Sequence, residues 1–242
     1  DVLRDGFHDR RRDMRLIDLF KEIDKKKLTL KMQVRQEYYR VKELLDGKRP
    51  SRMDLFTYMD DEIYRICVSG SHAKENPFQH YLDFLYELGE LSEDEQELYA
   101  GIGREFIQTI ETTEMQKVYK MPILYSFYNH GNIRLAVTDE EVLESWKEFF
   151  DTGTNWKDFP NVNTYEDYKK VTDKQHLSKA KRMPITRLKM SGKGFFMEKD
   201  GYALALRDEI GEVVGNMAFG KQMGDVLGYR SLEYYRRRYE KE

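Results

Sequence analysis

The chain has 242 residues, of which 35% are charged, 40% hydrophobic and 13% aromatic. This many aromatic residues argues against a disordered chain, and the high charge favours long amphipathic helices with solvated faces. The sequence has no signal-peptide pattern and no run of about 18 apolar residues, so we expect no membrane span. A single cysteine, Cys67, cannot form an internal disulfide, which predicts a reducing, cytoplasmic location.

Charge is distributed unevenly along the chain and divides it into three predicted segments. Residues 1–52 carry 16 Lys and Arg against 10 Asp and Glu, a net charge of +6, and form an N-terminal basic helical segment. Residues 53–116 carry 3 against 15, a net charge of −12, and form an acidic helical subdomain. Residues 117–242 carry 22 against 19, a net charge of +3. An acidic block between basic ones indicates either a nucleic-acid face elsewhere or simply the solvated side of two helices.

Two helices with recognisable ends are predicted in the first half. Residues 31–46 repeat apolar side chains at helical spacing, and Gly47 is suited to the cap that ends this helix. Lys48, Arg49 and Arg52 sit on the following turn, where the start of the next helix favours phosphate. Ser92 and Glu95 have the spacing of a capping box and open a helix predicted to run to about Thr113.

The stretch 120–150 combines a helix, a glycine turn, a strand and a second helix. The alternation of Ile133, Leu135 and Val137 with polar or small residues is typical of a half-buried strand. Thr138 and Glu141 form a capping box that opens the second helix. We expect this stretch to be the packing hub of residues 117–242, with basic side chains along its exposed edge.

A basic run and a hairpin follow. The run contains Lys174, His176 and the cations up to Lys189, and on a helix it would form a positive stripe that contacts phosphate or is merely solvated. Residues 195–206 predict a hairpin with a two-residue Asp200-Gly201 turn, which places Phe195, Met197, Leu204 and Leu206 on one apolar face. A hairpin after a basic helix is typical of a winged helix. The fold class is therefore predicted as mainly α with one or two short β-hairpins (α+β), with winged-helix-like helical subdomains in residues 117–242.

The tail after residue 208 contains five glycines at irregular spacing. Because each glycine destabilises a helix by about 1 kcal/mol relative to alanine, they either break the tail into two short helices or allow close backbone packing.

Most catalytic motifs are missing from the sequence. There is no phosphate-binding P-loop, no nucleophile elbow and no paired His and Cys with metal-ligand spacing. Cys67 is interpreted as a buried structural residue. We therefore expect no catalytic residue, no metal and no cofactor in this segment.

Several short motifs carry a resemblance to a known family. They are G-K-R-P-S-R (47–52), M-D-D-E-I-Y (59–64), K-E-N-P-F (74–78), G-R-E-F-I (103–107), Y-K-M-P-I-L (119–124), N-H-G-N-I-R (129–134), S-W-K-E-F-F (145–150) and Y-Y-R-R-R-Y (234–239). Together they resemble the C-terminal region of bacterial DEAD/DEAH-box superfamily 2 helicases of the restriction-type group, over about residues 14–240. The resemblance implies that ATP binding, hydrolysis and strand translocation belong to motor domains upstream. Asp1 stands where a complete chain would begin with Met, which also predicts a segment of a longer protein.

The leading hypothesis is a non-catalytic accessory module of an ATP-dependent nucleic-acid helicase. Its partners would be DNA, with RNA as the alternative, and the motor domains of the same polypeptide. The candidate nucleic-acid-binding residues are Lys117, Lys120, His130, Arg134, Lys179, Lys181, Arg182, Arg187, Lys189 and Lys193. The first alternative is a protein–protein interaction module whose acidic block, residues 53–116, docks on a basic motor surface. A cryptic nuclease is the second alternative and the less favoured.

Overall fold

The computed structural model describes residues 28–239. Residues 1–27 of the predicted N-terminal basic helical segment lie outside the described residues. The chain divides into two compact units. Among the described residues, 28–50 and 54–77 form the first unit, and 51–53 and 78–239 form the second.

The first unit is helical, with helices α1 (Leu30–Leu44), α2 (Arg52–Tyr58, its first two residues counted with the second unit) and α3 (Asp61–Cys67). Helix α1 buries Val34, Tyr38 and Val41, which fits the predicted helical spacing. The buried Glu37 carboxylate accepts hydrogen bonds from the Arg40 side chain and, at 2.9 Å, from the backbone N–H of Asp60. Because Asp60 is the N-cap of α3, this carboxylate ties α1 to the start of α3.

The second unit is mainly helical and holds a small antiparallel sheet. Its remaining helices are α4 (Tyr81–Leu88), α5 (Glu93–Ala100), α6 (Ile102–Thr112), α7 (Lys120–Tyr128), α8 (Asp139–Asp151), α9 (Tyr165–Lys169), α10 (Asp173–Ala180), α11 (Thr186–Ser191) and α12 (Met217–Tyr239). Its strands are β1 (Ala136–Val137), β2 (Phe196–Met197) and β3 (Leu204–Leu206), in the sheet order β1-β3-β2. The predicted class, mainly α with short β-hairpins, is confirmed.

Both predicted capping boxes are present. Ser92 accepts from the backbone of Glu95, and Thr138 accepts from the backbone of Glu141, with each glutamate bonded back to the cap. The helix after Ser92 does not continue to Thr113, however. It stops at Gly101, whose extended backbone separates α5 from α6, so the prediction of a single helix is wrong.

The hairpin is present, but its predicted register is wrong by one residue. Phe196 pairs with Leu206 and Met197 with Ala205, so Phe196 is buried whereas Met197 is 39% exposed. The reason lies in the turn: of its two central residues only Gly201 has a positive φ, whereas the type I′ turn of a two-residue loop needs both. A slip of one residue exchanges the faces of a strand.

Strand β3 is the centre of the sheet, and all three of its residues are buried. Its second neighbour, β1, lies in the stretch predicted as a half-buried strand, and Ala136 pairs with Ala205. The Phe106 ring of α6 meets the rings of Phe195, on the hairpin, and Phe219, on α12, at 5.4 and 5.7 Å. Aromatic packing therefore joins the hairpin to the helices that flank it.

From Met217 onward the tail forms one long helix, α12, despite Gly220, Gly224 and Gly228, whereas Gly211 and Gly215 lie before this helix. A Cβ on Gly224 would lie 2.5 Å from the Tyr128 hydroxyl, whereas one on Gly228 would have its nearest neighbour, the Met53 sulfur, at 3.6 Å. Of the two predicted roles, close packing is therefore the one that the structure confirms.

A buried ion cluster anchors residues 51–53 in the second unit. The Arg52 side chain is fully buried, and it donates to Glu111 at 2.9 Å, to Asp225 at 2.8 Å and to Gln222 at 2.6 Å. Its guanidinium also lies 4.4 Å from the centre of the Tyr81 ring. The prediction that Arg52 is placed on a turn to meet phosphate is wrong, because its hydrogen-bonding groups are engaged inside the protein.

Candidate nucleic-acid interface

Lys120 is not at the surface. The residue is 8% exposed, and its Nζ donates to Thr113 Oγ1 at 2.9 Å and to Ser191 Oγ at 3.3 Å. Burial lowers the pKa of its ammonium group. The prediction that Lys120 lies on an exposed edge is therefore wrong, since α7 directs this side chain inward.

Lys117 is exposed but lies beside a buried carboxylate that sequence reasoning did not single out. Its Nζ is 4.0 Å from Asp158 Oδ1, and the same oxygen lies 2.6 Å from Arg238 Nη1. Asp158 follows Trp156 in a polar, loop-like stretch, and nothing in that pattern indicates burial. Lys117 and Arg238 thus balance Asp158, which leaves less of their charge for an external phosphate.

His130 and Arg134 line a cavity of about 560 Å³ instead of an open basic edge. Arg134 Nε lies 3.0 Å from Glu141 Oε1, and the same guanidinium donates to the Ser126 carbonyl at 3.2 Å. His130 Nε2 lies 3.6 Å from Glu148 Oε2. Both residues therefore face carboxylates, which disfavours phosphate at this place.

Lys179 and Arg182 contribute to a groove of about 780 Å³, which we call the basic groove. It is lined by the loop 159–162, by the end of α9 and the residues after it, and by α10 with the turn that follows α10. The groove carries four cations, Lys170, Lys174, Lys179 and Arg182, and one carboxylate, Asp167. Asp167 is already engaged, since it accepts from the Thr164 hydroxyl at 2.8 Å and lies 3.5 Å from Lys170 Nζ.

The local sequence explains the shape of the basic groove. Thr172 and Gln175 form a capping box that fixes the start of α10. Pro184 lies within a π-helical turn, Lys181–Ile185, where the missing proline N–H disturbs the regular hydrogen bonding. Between these two points Lys174 and Arg182 lie eight residues apart, about 12 Å by helical rise.

Two of these cations are well placed to meet an anion. Lys174 and Arg182 are exposed, and neither has an ion-pair partner among the residues that the structure describes. Lys179 lies 5.2 Å from the centre of the Tyr119 ring, which holds its ammonium at the groove by a cation–π contact. Lys170 was missed by sequence reasoning, and Lys174 was noted only as part of the basic run. Their spacing to Lys179 was the signal that could have indicated a shared surface.

The other predicted cations are dispersed. Lys181 bonds Asp139 at 2.9 Å, and Lys189 pairs with Glu198 on the hairpin. Arg187 and Lys193 are exposed but do not line the groove. The structure thus brings together only two of the ten predicted residues, Lys179 and Arg182, at one concave basic surface.

Burial raises the pKa of the Cys67 thiol to about 12, so this side chain is a poor nucleophile. Within residues 28–239, no group of three or more His, Cys, Asp and Glu side chains is arranged to hold a metal ion. In that same range, no helix is both long and apolar enough to cross a membrane.

Comparisons with known proteins identify no family for this chain. Neither the protein-family models, nor the curated proteins, nor the solved structures yielded a match to the chain.

Proposed function

We propose that the chain is a non-catalytic accessory module of an ATP-dependent nucleic-acid helicase, and that its basic groove holds the phosphate backbone of DNA or RNA. The observation that carries the nucleic-acid contact is the charge of the groove, four cations against one engaged carboxylate. The link to helicase motor domains in the same polypeptide rests on the sequence resemblance, and a cytoplasmic location on the single buried cysteine.

The groove supports binding that is independent of base sequence. Lysine and arginine side chains contact phosphates, and such contacts carry no sequence information. The helical rise of about 12 Å between Lys174 and Arg182 corresponds to about three or four nucleotides of one strand at about 3.4 Å each. With at most four phosphates neutralised, the logarithm of the affinity for duplex DNA should fall with the logarithm of salt with a slope of about −3.6 or less steeply.

Fluorescence anisotropy with labelled single- and double-stranded oligonucleotides, at low and at moderate salt, tests the proposal. The variant Lys174→Gln/Lys179→Gln/Arg182→Gln should weaken binding and make the salt slope shallower by about 2 to 3. The control Lys157→Gln/Lys199→Gln/Lys221→Gln removes three exposed charges outside the groove. Absence of binding at low salt, or equal losses in both variants, would exclude the groove as a nucleic-acid site.

A second candidate function is protein–protein interaction through the acidic segment. Tyr86 is 59% exposed and stacks on Tyr99 at 4.6 Å, beside α5 with its exposed Glu93 and Glu97. An exposed aromatic pair next to carboxylates suits a basic partner surface. Mixing the chain with the motor domains of its own polypeptide tests this candidate, and the absence of both a complex and a rate change contradicts it.

A further inference from the structure

The cavity at His130 and Arg134 differs in chemistry from the basic groove. It lies among α7, α8 and α12, and its volume of about 560 Å³ falls within the range of small-molecule sites. Aromatic rings from all three helices line it: Tyr125, Tyr128, Phe149 and Tyr235. The Tyr125 ring lies 6.2 Å from that of Tyr128 and 6.1 Å from that of Phe149, so three of these rings form a connected wall.

Carboxylates from one face of α8 complete the lining. Glu141, Glu144 and Glu148 follow one another at spacings of three and four residues, which places them on the same side of the helix. Against these three carboxylates stand one guanidinium, Arg134, which is paired with Glu141, and one imidazole, His130, near Glu148. Glu144 is exposed and has no ion-pair partner among the residues that the structure describes.

Helix α12 leaves the space open because it presents Gly228 to the cavity. A Cβ at this position would have its nearest neighbour, the Met53 sulfur, at 3.6 Å, an ordinary contact distance. A larger side chain would therefore fit the helix and project toward the space that the rings and carboxylates surround.

Aromatic faces and carboxylates attract the same kind of ligand. The face of an aromatic ring is electronegative and attracts ammonium and guanidinium groups, and carboxylates add charge and hydrogen-bond acceptors. The surplus of carboxylates disfavours phosphate, so this cavity and the basic groove select ligands of opposite charge. The cavity does not depend on the nucleic-acid proposal, because it shares no lining residue with the groove.

We propose that this cavity binds an organic cation, that is, an alkylammonium or guanidinium group. Such a group has two sources, a free polyamine or the side chain of a lysine or arginine in a partner peptide. Both sources present the same chemistry to Glu144, Glu148 and the tyrosine rings.

Isothermal titration calorimetry on the full chain tests the proposal with three probes. Spermidine and a capped lysine-containing pentapeptide represent the two sources, and triacetylated spermidine is the uncharged control. We expect at least one charged probe to bind, with no detectable binding of the acetylated compound. Preferential binding of one charged probe identifies the source, whereas failure of both, or equal binding of the acetylated compound, overturns the proposal.

Two variants locate the binding within the cavity. Glu144→Gln/Glu148→Gln removes two carboxylates at exposed positions and should raise the Kd by about tenfold. Gly228→Leu should abolish binding by filling the space. The matched control, Glu209→Gln/Glu212→Gln, removes the same charge from exposed positions that do not line the cavity. If this control weakens binding as much as the cavity variant, the cation is attracted by overall charge and the assignment to the cavity is wrong.

Discussion

His176 belongs to a basic run but is buried in the core, unlike the lysines beside it. The sequence places it among lysines that face solvent, but the residue is 3% exposed. Its ring lies 4.9 Å from the ring of Phe159 and 5.6 Å from that of Tyr168. Helical spacing explains this, since one face of α10 must pack inward while the lysines point outward.

The buried imidazole makes stability depend on pH. Burial lowers the pKa of His176, the positive charge of Lys147 lowers it further, and the carboxylates of Asp151 and Asp173 oppose the change. In the unfolded chain the imidazole therefore binds a proton with a pKa of about 6.5, whereas in the folded chain it does so only at lower pH. The contribution of the neutral imidazole to the free energy of unfolding is present above that pH and is lost as pH falls through the folded pKa.

We therefore expect the free energy of unfolding of the variant His176→Phe to depend less steeply on pH. The slope should decrease by the equivalent of at most one bound proton, because the variant has no imidazole at this position. Urea denaturation at several pH values from neutral to mildly acidic measures this slope. His130→Asn serves as the control, because His130 has a side chain that is 76% exposed and asparagine tolerates its positive φ. If both variants keep the slope of the parent chain, the imidazole is not responsible.

Among the elements, helix α12 departs most from what propensity predicts. Glycine usually destabilises a helix, so replacing it by alanine should stabilise the chain by about 1 kcal/mol. At Gly224 the added Cβ meets three atoms of the Tyr128 side chain, at 2.5, 2.8 and 3.1 Å. At Gly228, one turn further along, the nearest neighbour lies at 3.6 Å.

The two positions should consequently respond in opposite directions. We expect Gly224→Ala to destabilise the chain by about 1–3 kcal/mol, because α12 packs too closely on α7 for an extra methyl group. Gly228→Ala should stabilise it by up to about 1 kcal/mol and is the matched control. Urea denaturation measures both. Stabilisation by Gly224→Ala would show that Tyr128 moves aside without cost, which would contradict close packing as the reason for glycine.

Elements with local signals were predictable, and those set by distant contacts were not. The capping boxes at Ser92 and Thr138 depend on residues three positions apart, so the sequence contains the complete information. The hairpin was placed correctly, but its register depends on backbone angles at Asp200 and Gly201 that composition does not fix. The pairing of β1 with β3 joins residues about 70 positions apart and has no sequence signal.

At the scale of the whole molecule, charge counts did not reveal which cations are available. Lys120 and Lys181 belong to basic stretches, yet one is buried and the other is paired with Asp139. Lys174 and Arg182 lie in the same kind of stretch and remain exposed in the groove. Only the three-dimensional arrangement separates the groove from the cavity, since most residues of both sites lie between 117 and 242.

The boundary between the two units predicts how truncations behave. A chain of residues 51–242 keeps Arg52, whereas one of residues 54–242 loses it and leaves the buried Glu111 without its cation. Loss of one partner from a buried ion pair costs about 3–5 kcal/mol. We expect the shorter chain to unfold at a lower urea concentration. Tryptophan fluorescence measures this unfolding, because both tryptophans, Trp146 and Trp156, lie in the second unit.

The variant Arg52→Met in the 51–242 chain separates the side chain from the truncation. It should unfold at the same urea concentration as the 54–242 chain, because both lack the same guanidinium. Equal stability of the 51–242 and 54–242 chains would mean that the ion cluster contributes little.

The same ion cluster has a consequence for synthesis on the ribosome. Arg52 and Asp225 are 173 positions apart, so Arg52 emerges long before the helix that supplies Asp225 and Gln222. Until α12 has left the exit tunnel, the nascent second unit holds a cation whose site is incomplete. Its final consolidation must therefore wait until α12 has been synthesised, and chains released before that point would expose carboxylates and aromatic rings to quality control.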